Sequence, residues 1–316
     1  MTEPAAPLID CPWERAIVHT LLYFELFSYP LTEEEIWQFT HEDTSETLPT
    51  EVSFEGFQEK LYELVERGVV FRFQHFFQTQ NHPEWAVRRL EYNRRADAML
   101  PVARRMSRLI AAFPYIRAVF VSGSLSKHCM RPDGDIDFFL ITVPGRLWLA
   151  RTLLVVFKKL FLFNSHKYFC VNYFIDTEHL EIEEKNLFTA TEVITLLPMY
   201  GQEWYRAFHQ HNLWAWRQFP NSRQRPVDDI PTGSSSWIKH ALEWLFGGAL
   251  GDWLDGQAMR VTVRFWKRKF SHFDDRTFNE ALKSRRYVSK HHPLYFQEKV
   301  LKHLEKRILQ RGLRGL

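Results

Sequence analysis

"AVFVSGSLSKHCMRPDGDIDFFLIT", Ala118 to Thr142, decides how this 316-residue chain is read. The run is apolar at both ends, breaks at Gly123-Ser124, and carries Asp135 and Asp137 at the entry to its second apolar part. "IRAVFVS" predicts a buried strand and "DIDFFLIT" the next one. Side chains alternate along a strand, so Asp135 and Asp137 are expected on one face. Two adjacent carboxylates repel, and burying them unpaired is costly. A divalent cation removes the conflict. Hard carboxylate oxygens suit Mg2+, which keeps waters and phosphate oxygens in its remaining positions. The stretch therefore predicts a metal site that handles phosphates. Gly123 suits a place where backbone approaches a ligand closely. Ser124 and nearby N–H groups can hold phosphate oxygens. Lys127 lies in the connection to Asp135, within reach of a phosphate.

Gly123-Ser124, ten residues, then Asp135-Ile136-Asp137 between apolar runs resembles the signature of the DNA polymerase beta-like nucleotidyltransferase superfamily. The resemblance implies an α+β fold, a nucleotidyltransferase-type mixed sheet flanked by helices, with its core over 114–220. It implies Mg2+ on Asp135 and Asp137 and an NTP, with ATP the first candidate, held by Gly123, Ser124 and Lys127. Catalysis would move an NMP to an acceptor hydroxyl and release pyrophosphate, mainly through positioning and charge neutralisation.

The family commonly places a third carboxylate on a later neighbouring strand, here expected in "KYFCVNYFIDT", Lys167 to Thr177. Alternation puts Cys170, Asn172, Phe174 and Asp176 on one face. Asn172 stands at the depth where the acid belongs, and Asp176 lies about 13 Å further along. Either Asp176 is the third catalytic acid, or Asn172 replaces it as a weaker, neutral ligand. Without that acid, the alternative is a nucleotide-binding or regulatory protein of the same fold. Glu181 and Glu183, also two apart, read as a polar strand edge.

Outward from the core, residues 12–83 predict three helices and a β-hairpin, an arrangement that resembles a winged helix. Thr32 and Glu35 form a capping-box pattern, and Gly68 suits a helix C-terminus. "VVFRFQHFFQT" predicts a strand pairing with the residues C-terminal to it, and His41–Thr50 reads as a loop. The third helix carries Glu55, Glu59, Glu63 and Glu66. An acidic recognition helix repels phosphates, which favours a packing or partner-binding role over DNA binding. Residues 84–113 predict a connecting helical segment with arginines on a solvated face and a kink or break at Pro101.

After the core, Thr189 and Glu192 again fit a capping box, and Asn221–Ser236 has the composition of an exposed linker. Residues 237–316 predict a basic helical region. Its "ALEWLFGGALGDWL" is apolar but broken by acids and glycines, too short a run to span a membrane. Its apolar side and basic end suit packing on the core or docking on an anionic surface. The adjacent His291-His292, before a proline, reads as a loop.

Composition bounds the rest. Hydrophobic residues make up 45% and aromatics 16% of the chain, which excludes a disordered protein and predicts a large core. The three cysteines fit neither a zinc pattern nor a disulfide framework. With an acidic N-terminus unlike a signal peptide, they point to the cytoplasm. The net charge of +3 is uneven. From Arg260 onward there are 16 Lys and Arg against 5 Asp and Glu, a balance that suits a polyanion or nucleic-acid partner.

Overall fold

The computed structural model describes residues 9, 11–41, 53–163, 167–233, 237–291 and 296–313. The expected N-terminal periodicities become helices α1 (Pro12–Glu25), α2 (Glu33–Phe39) and α3 (Phe54–Glu66). Ile17, Leu21 and Phe24 of α1 meet Ile36 and Phe39 of α2 and Phe57, Leu61 and Leu64 of α3 in one core. Thr32 and Glu35 form the expected capping box, a device worth about 1 kcal/mol. Strands β1 (Phe71–Phe73) and β2 (Phe76–Gln78) come next. The hairpin closes within "VVFRFQHFFQT" itself, Phe71 opposite Gln78, instead of pairing with later residues.

Helix α4 (Pro83–Ala111) then runs for 29 residues with Pro101 inside it. Proline removes one hydrogen bond from a helix. Here Ala96, Ala103 and Ile110 are buried on both sides of Pro101, so packing carries the helix across the gap. Of the arginines along α4, Arg89 is the buried one, its guanidinium 2.6 Å from Glu35 and 2.7 Å from the Pro30 carbonyl.

The remaining elements are β3 (Ile116–Ser122), α5 (Gly123–Ser126), β4 (Asp137–Thr142), α6 (Leu147–Phe161), β5 (Cys170–Asp176), α7 (Leu187–Thr195) and β6 (Leu197–Tyr200). Then come α8 (Gln202–His211), α9 (Leu213–Gln218), α10 (Trp237–Leu245), α11 (Ala249–Lys269), α12 (Asp275–Ala281), β7 (Ser284–Arg285), β8 (Val288–Lys290) and α13 (Phe296–Gln310). Six strands form a mixed sheet in the order β6-β3-β4-β5-β8-β7. The β4–β5 pair is parallel and the others are antiparallel. The chain is thus α+β, a mixed sheet flanked by helices. The C-terminal region, expected to be helical, also supplies β8 and the edge strand β7.

Alternation divides the sheet into two faces. Ala118, Phe120, Phe139, Ile141 and Ile175 join a core that runs from Trp13 of α1 to Val300, Leu304 and Ile308 of α13. Val119, Val121, Phe138, Leu140 and Phe174 pack on the other side with residues of α4, α6 and α11. The N-terminal helices therefore share a core with the sheet. The buried Glu25 carboxylate accepts from Thr79 Oγ1 and Gln80 Nε2, both at 3.0 Å, and Arg311 donates to the Thr79 carbonyl at 2.8 Å.

The segment with linker composition is a strap over residues 221–233. Asn221 donates to the Trp37 carbonyl at 3.2 Å, Arg225 to the Ser126 carbonyl at 2.7 Å, and Gly201 N–H to the Pro231 carbonyl at 2.9 Å. Its last residues, 234–236, lie outside the described residues, as do 42–50 of the expected loop and His292 of the histidine pair.

Candidate active site

The β3–β4 register sets Ser122 opposite Asp137, so the Gly-Ser turn leaves the sheet beside the entry of the second aspartate. Asp135 lies in the connection just before β4 and Asp137 is the strand's first residue. Gly123 has φ +68°, and a Cβ there would sit 2.5 Å from Asp137 Oδ2. Backbone conformation and lack of space both demand glycine at this position.

The connection from Gly123 to Asp135 is held from several sides. Cys129 N–H donates to the Ser124 carbonyl at 3.1 Å, and Met130 N–H to the Tyr92 carbonyl at 3.0 Å. His128 Nε2 lies 2.7 Å from Asp97 of α4. Tyr29 donates its hydroxyl to the Lys127 carbonyl, and Arg225 reaches the Ser126 carbonyl from the strap. The N-terminal helices, α4 and the strap thereby fix the turn that carries Gly123 and Ser124.

Asp137 holds the electrostatic interest of the site. Burial pushes its pKa up to about 7, with further upward pressure from Asp135 and Glu192. Asn172 Nδ2 donates to Asp137 Oδ1 at 2.6 Å, and Asn172 Oδ1 accepts from the Cys170 thiol at 3.2 Å. That thiol is pushed up to about 12 by burial and by the same two aspartates. A carboxylate held against two like charges, which Cys170 and Lys127 offset only in part, is one that a cation relieves.

Glu192 is the functional-site residue that sequence reasoning missed. Thr189 does not cap its helix: α7 starts earlier, capped by Asn186, whose Oδ1 accepts from Thr189 N–H at 3.0 Å. That start puts Glu192 in the body of α7, facing the Gly123-Ser124 turn. Its Oε1 lies 2.7 Å from Lys127 Nζ and its Oε2 accepts from Gly123 N–H at 3.3 Å. Lys127 Nζ also donates to the Gly123 carbonyl at 3.1 Å. The available signal was a single acid within the otherwise uncharged "LFTATEVIT".

Asp176 is not brought to the site. Asp137 of β4 lies beside Cys170 of β5, and Thr142 beside Asp176, so the two acids occupy opposite ends of the ladder. Five residues at ~3.3 Å put them about 17 Å apart. Alternation also fails, because the register skips Asn172: Phe138 faces Val171 and Phe139 faces Tyr173. A bulge of one residue reverses every later side chain. Asp176 instead accepts from Glu178 N–H at 3.1 Å and lies 2.7 Å from His179 Nδ1. Glu183 pairs with Lys283 and Arg285, and Glu181 with Lys185.

A cleft of about 1860 Å³ opens over Gly123, Ser124, Lys127, Asp135, Asp137 and Asn172. Lys158 and Lys159 of α6, Lys269 of α11 and Arg276 of α12 also line it. Burial lowers the Lys158 ammonium below its ordinary range. Among the described residues, no group of three or more His, Cys, Asp or Glu is placed to hold a metal ion. The donor set is therefore two carboxylates and one amide. It fits Mg2+, which takes few protein ligands when phosphate oxygens and waters fill the rest. Compared with family models, curated proteins and solved structures, the chain matches none.

Proposed function

We propose that the protein is a Mg2+-dependent nucleotidyltransferase that moves an NMP from an NTP, ATP the first candidate, to an acceptor hydroxyl. Pyrophosphate is the second product. The observation that carries this reading is the Asp137 carboxylate, packed against a glycine that nothing larger can replace and pushed toward protonation by burial, Asp135 and Glu192. Asp135 and Asp137 hold the metal. Bound Mg2+ supplies charge neutralisation of the triphosphate and polarisation at the reacting phosphorus. Ser124 and Lys127 orient the phosphates, and the other lysines lining the cleft raise the local concentration of the anionic nucleotide.

The N-terminal helices and hairpin are read as a winged-helix-like packing module. The exposed Glu55, Glu59, Glu63 and Glu66 disfavour a nucleic-acid partner there. The reaction belongs in the cytoplasm, where NTPs, Mg2+ and unpaired thiols such as these three coexist.

A second reading rests on Asn172, which turns an N–H toward Asp137 where the family carries an acid. In that reading the cleft binds nucleotide without turnover. One experiment separates the two: incubation with labelled NTPs, Mg2+ and cell extract, scored for pyrophosphate and for the fraction that takes up label. Pyrophosphate release lost in Asp135→Ala supports the enzyme. Nucleotide binding with no pyrophosphate from any NTP supports the binding protein.

A further inference from the structure

We infer that α10 and α11 form a docking face for an anionic lipid bilayer. The face is built from large apolar side chains that the fold leaves in water. Trp237 is 77%, Trp244 83% and Trp253 58% exposed, with Ile238, Leu245 and Leu250 also exposed between and beside them. These helices are firmly attached to the sheet domain by their inner sides. Glu243 pairs with Arg117 at 2.9 Å, Lys239 donates to the Ile116 carbonyl at 2.8 Å, and Leu149 N–H donates to Asp255 at 2.8 Å. Packing therefore uses one side of "ALEWLFGGALGDWL" and leaves the aromatic side outward. Large apolar side chains exposed in this number on neighbouring segments mark an interaction site.

Charge decides the occupant. From Gly256 to Lys269 the chain carries five Lys and Arg and no Asp or Glu. Arg260, Arg264 and Arg268 recur every four residues and are exposed, on the side of α11 away from the buried Gly251, Asp255 and Trp266. Of the two acids just before that run, Asp255 is buried and accepts from Leu149 N–H, and Asp252 is held by Arg146 at 2.5 Å. At the end of the neighbouring α6, Leu160, Phe161 and Phe163 are exposed beside Lys159.

Tryptophan and leucine at headgroup depth, flanked by basic side chains, are what an in-plane interfacial helix presents. A second copy meeting this patch about a two-fold axis would set its arginines against their own counterparts. A nucleic acid would satisfy the arginines but leave the tryptophans and leucines in water. An anionic bilayer takes both. The inference does not depend on the catalytic reading.

The test is flotation of the full chain with vesicles of phosphatidylcholine alone and of phosphatidylcholine with phosphatidylserine. The expected result is binding to the serine-lipid vesicles, a blue shift of tryptophan fluorescence, and release at high salt. Trp244→Ser with Trp253→Ser, and separately Arg260→Glu with Arg264→Glu and Arg268→Glu, should each weaken binding by about tenfold or more. Both variants should keep the wild-type melting temperature, because every position changed is exposed. Three outcomes overturn the inference: no flotation at low salt, flotation unchanged in both variants, or a dimer lost on tryptophan substitution in a protein that ignores vesicles. Salt-sensitive RNA binding without flotation overturns it as well.

Discussion

The two ends of the β4–β5 ladder each carry an aspartate, half-buried Asp137 and buried Asp176, and the two are treated in opposite ways. At one end Asp137 meets Asp135 and Glu192 and has one amide N–H, from Asn172, on its Oδ1. At the other, Asp176 receives the Glu178 N–H, lies against His179 and is 2% exposed. The second acid has its partners supplied by its own turn. The first lines a cleft and meets like charge from Asp135 and Glu192, offset in part by Lys127. A buried acid next to an apolar strand is thus not by itself a catalytic signal. What distinguishes the functional candidate is that burial and like charge outweigh the Lys127 counter-charge there.

Asp137→Ala offers the largest break in that comparison. If the first end is the metal–triphosphate site, pyrophosphate release should fall by at least about a thousandfold. Circular dichroism should remain unchanged, and Asp135→Ala should behave alike. Activity within a factor of two of wild type in either variant would remove the mechanism. Gly123→Ala is next in size. The added Cβ needs space that Asp137 Oδ2 occupies, and the +68° φ disfavours any side chain. The expected loss is about a hundredfold in activity, with about 1 kcal/mol of stability lost to the backbone alone.

Protonation sharpens the comparison further. The folded state raises the Asp137 pKa from the ordinary carboxylate value to about 7. Between those values the folded protein binds the proton more tightly than the unfolded chain does. Metal-free stability therefore falls as pH rises through this window, by at most about 1.4 kcal/mol per pH unit. Mg2+ should raise the melting temperature more at pH 8 than at pH 5, and Asp137→Asn should flatten both dependences. Glu192→Gln keeps an acceptor for Gly123 N–H but removes one like charge from Asp137 and the counter-charge of Lys127. It should shift the acid limb of the Mg2+ effect to lower pH and lower activity by about tenfold. An unmoved pH profile would show that Glu192 does not reach Asp137 electrostatically.

The sequence reading is strongest where chemistry is local. Gly123, Ser124, Asp135 and Asp137 fall within one turn and its flanking strands, and their meeting follows from an antiparallel register of adjacent strands. Helix α2 was legible for the same reason, since both residues of its capping box lie within one turn. Long-range features were less legible. Lys127 and Glu192 are 65 residues apart in the chain, and only packing of α7 against the Gly123-Ser124 turn brings them together. The strap at 221–233 has the composition of a linker, and its three tethers all lie in distant elements. Strands of two and three residues, such as β7 and β8, are too short to show a period.

Asp176 shows the limit most clearly, because the error arose from applying a correct rule without one hidden residue. Alternation along "CVNYFID" joins Asp176 to Asn172, and the bulge at Asn172 cancels that parity. Asp176→Ala is therefore the smallest perturbation of activity. Pyrophosphate release should stay within about twofold of wild type, while stability falls by about 1–3 kcal/mol as the Glu178 N–H loses its acceptor. Urea denaturation measures the second and a turnover assay the first. If turnover collapsed while stability held, the acid at the closed end of the ladder would be acting on the open one, and the division between the two ends would have to be given up.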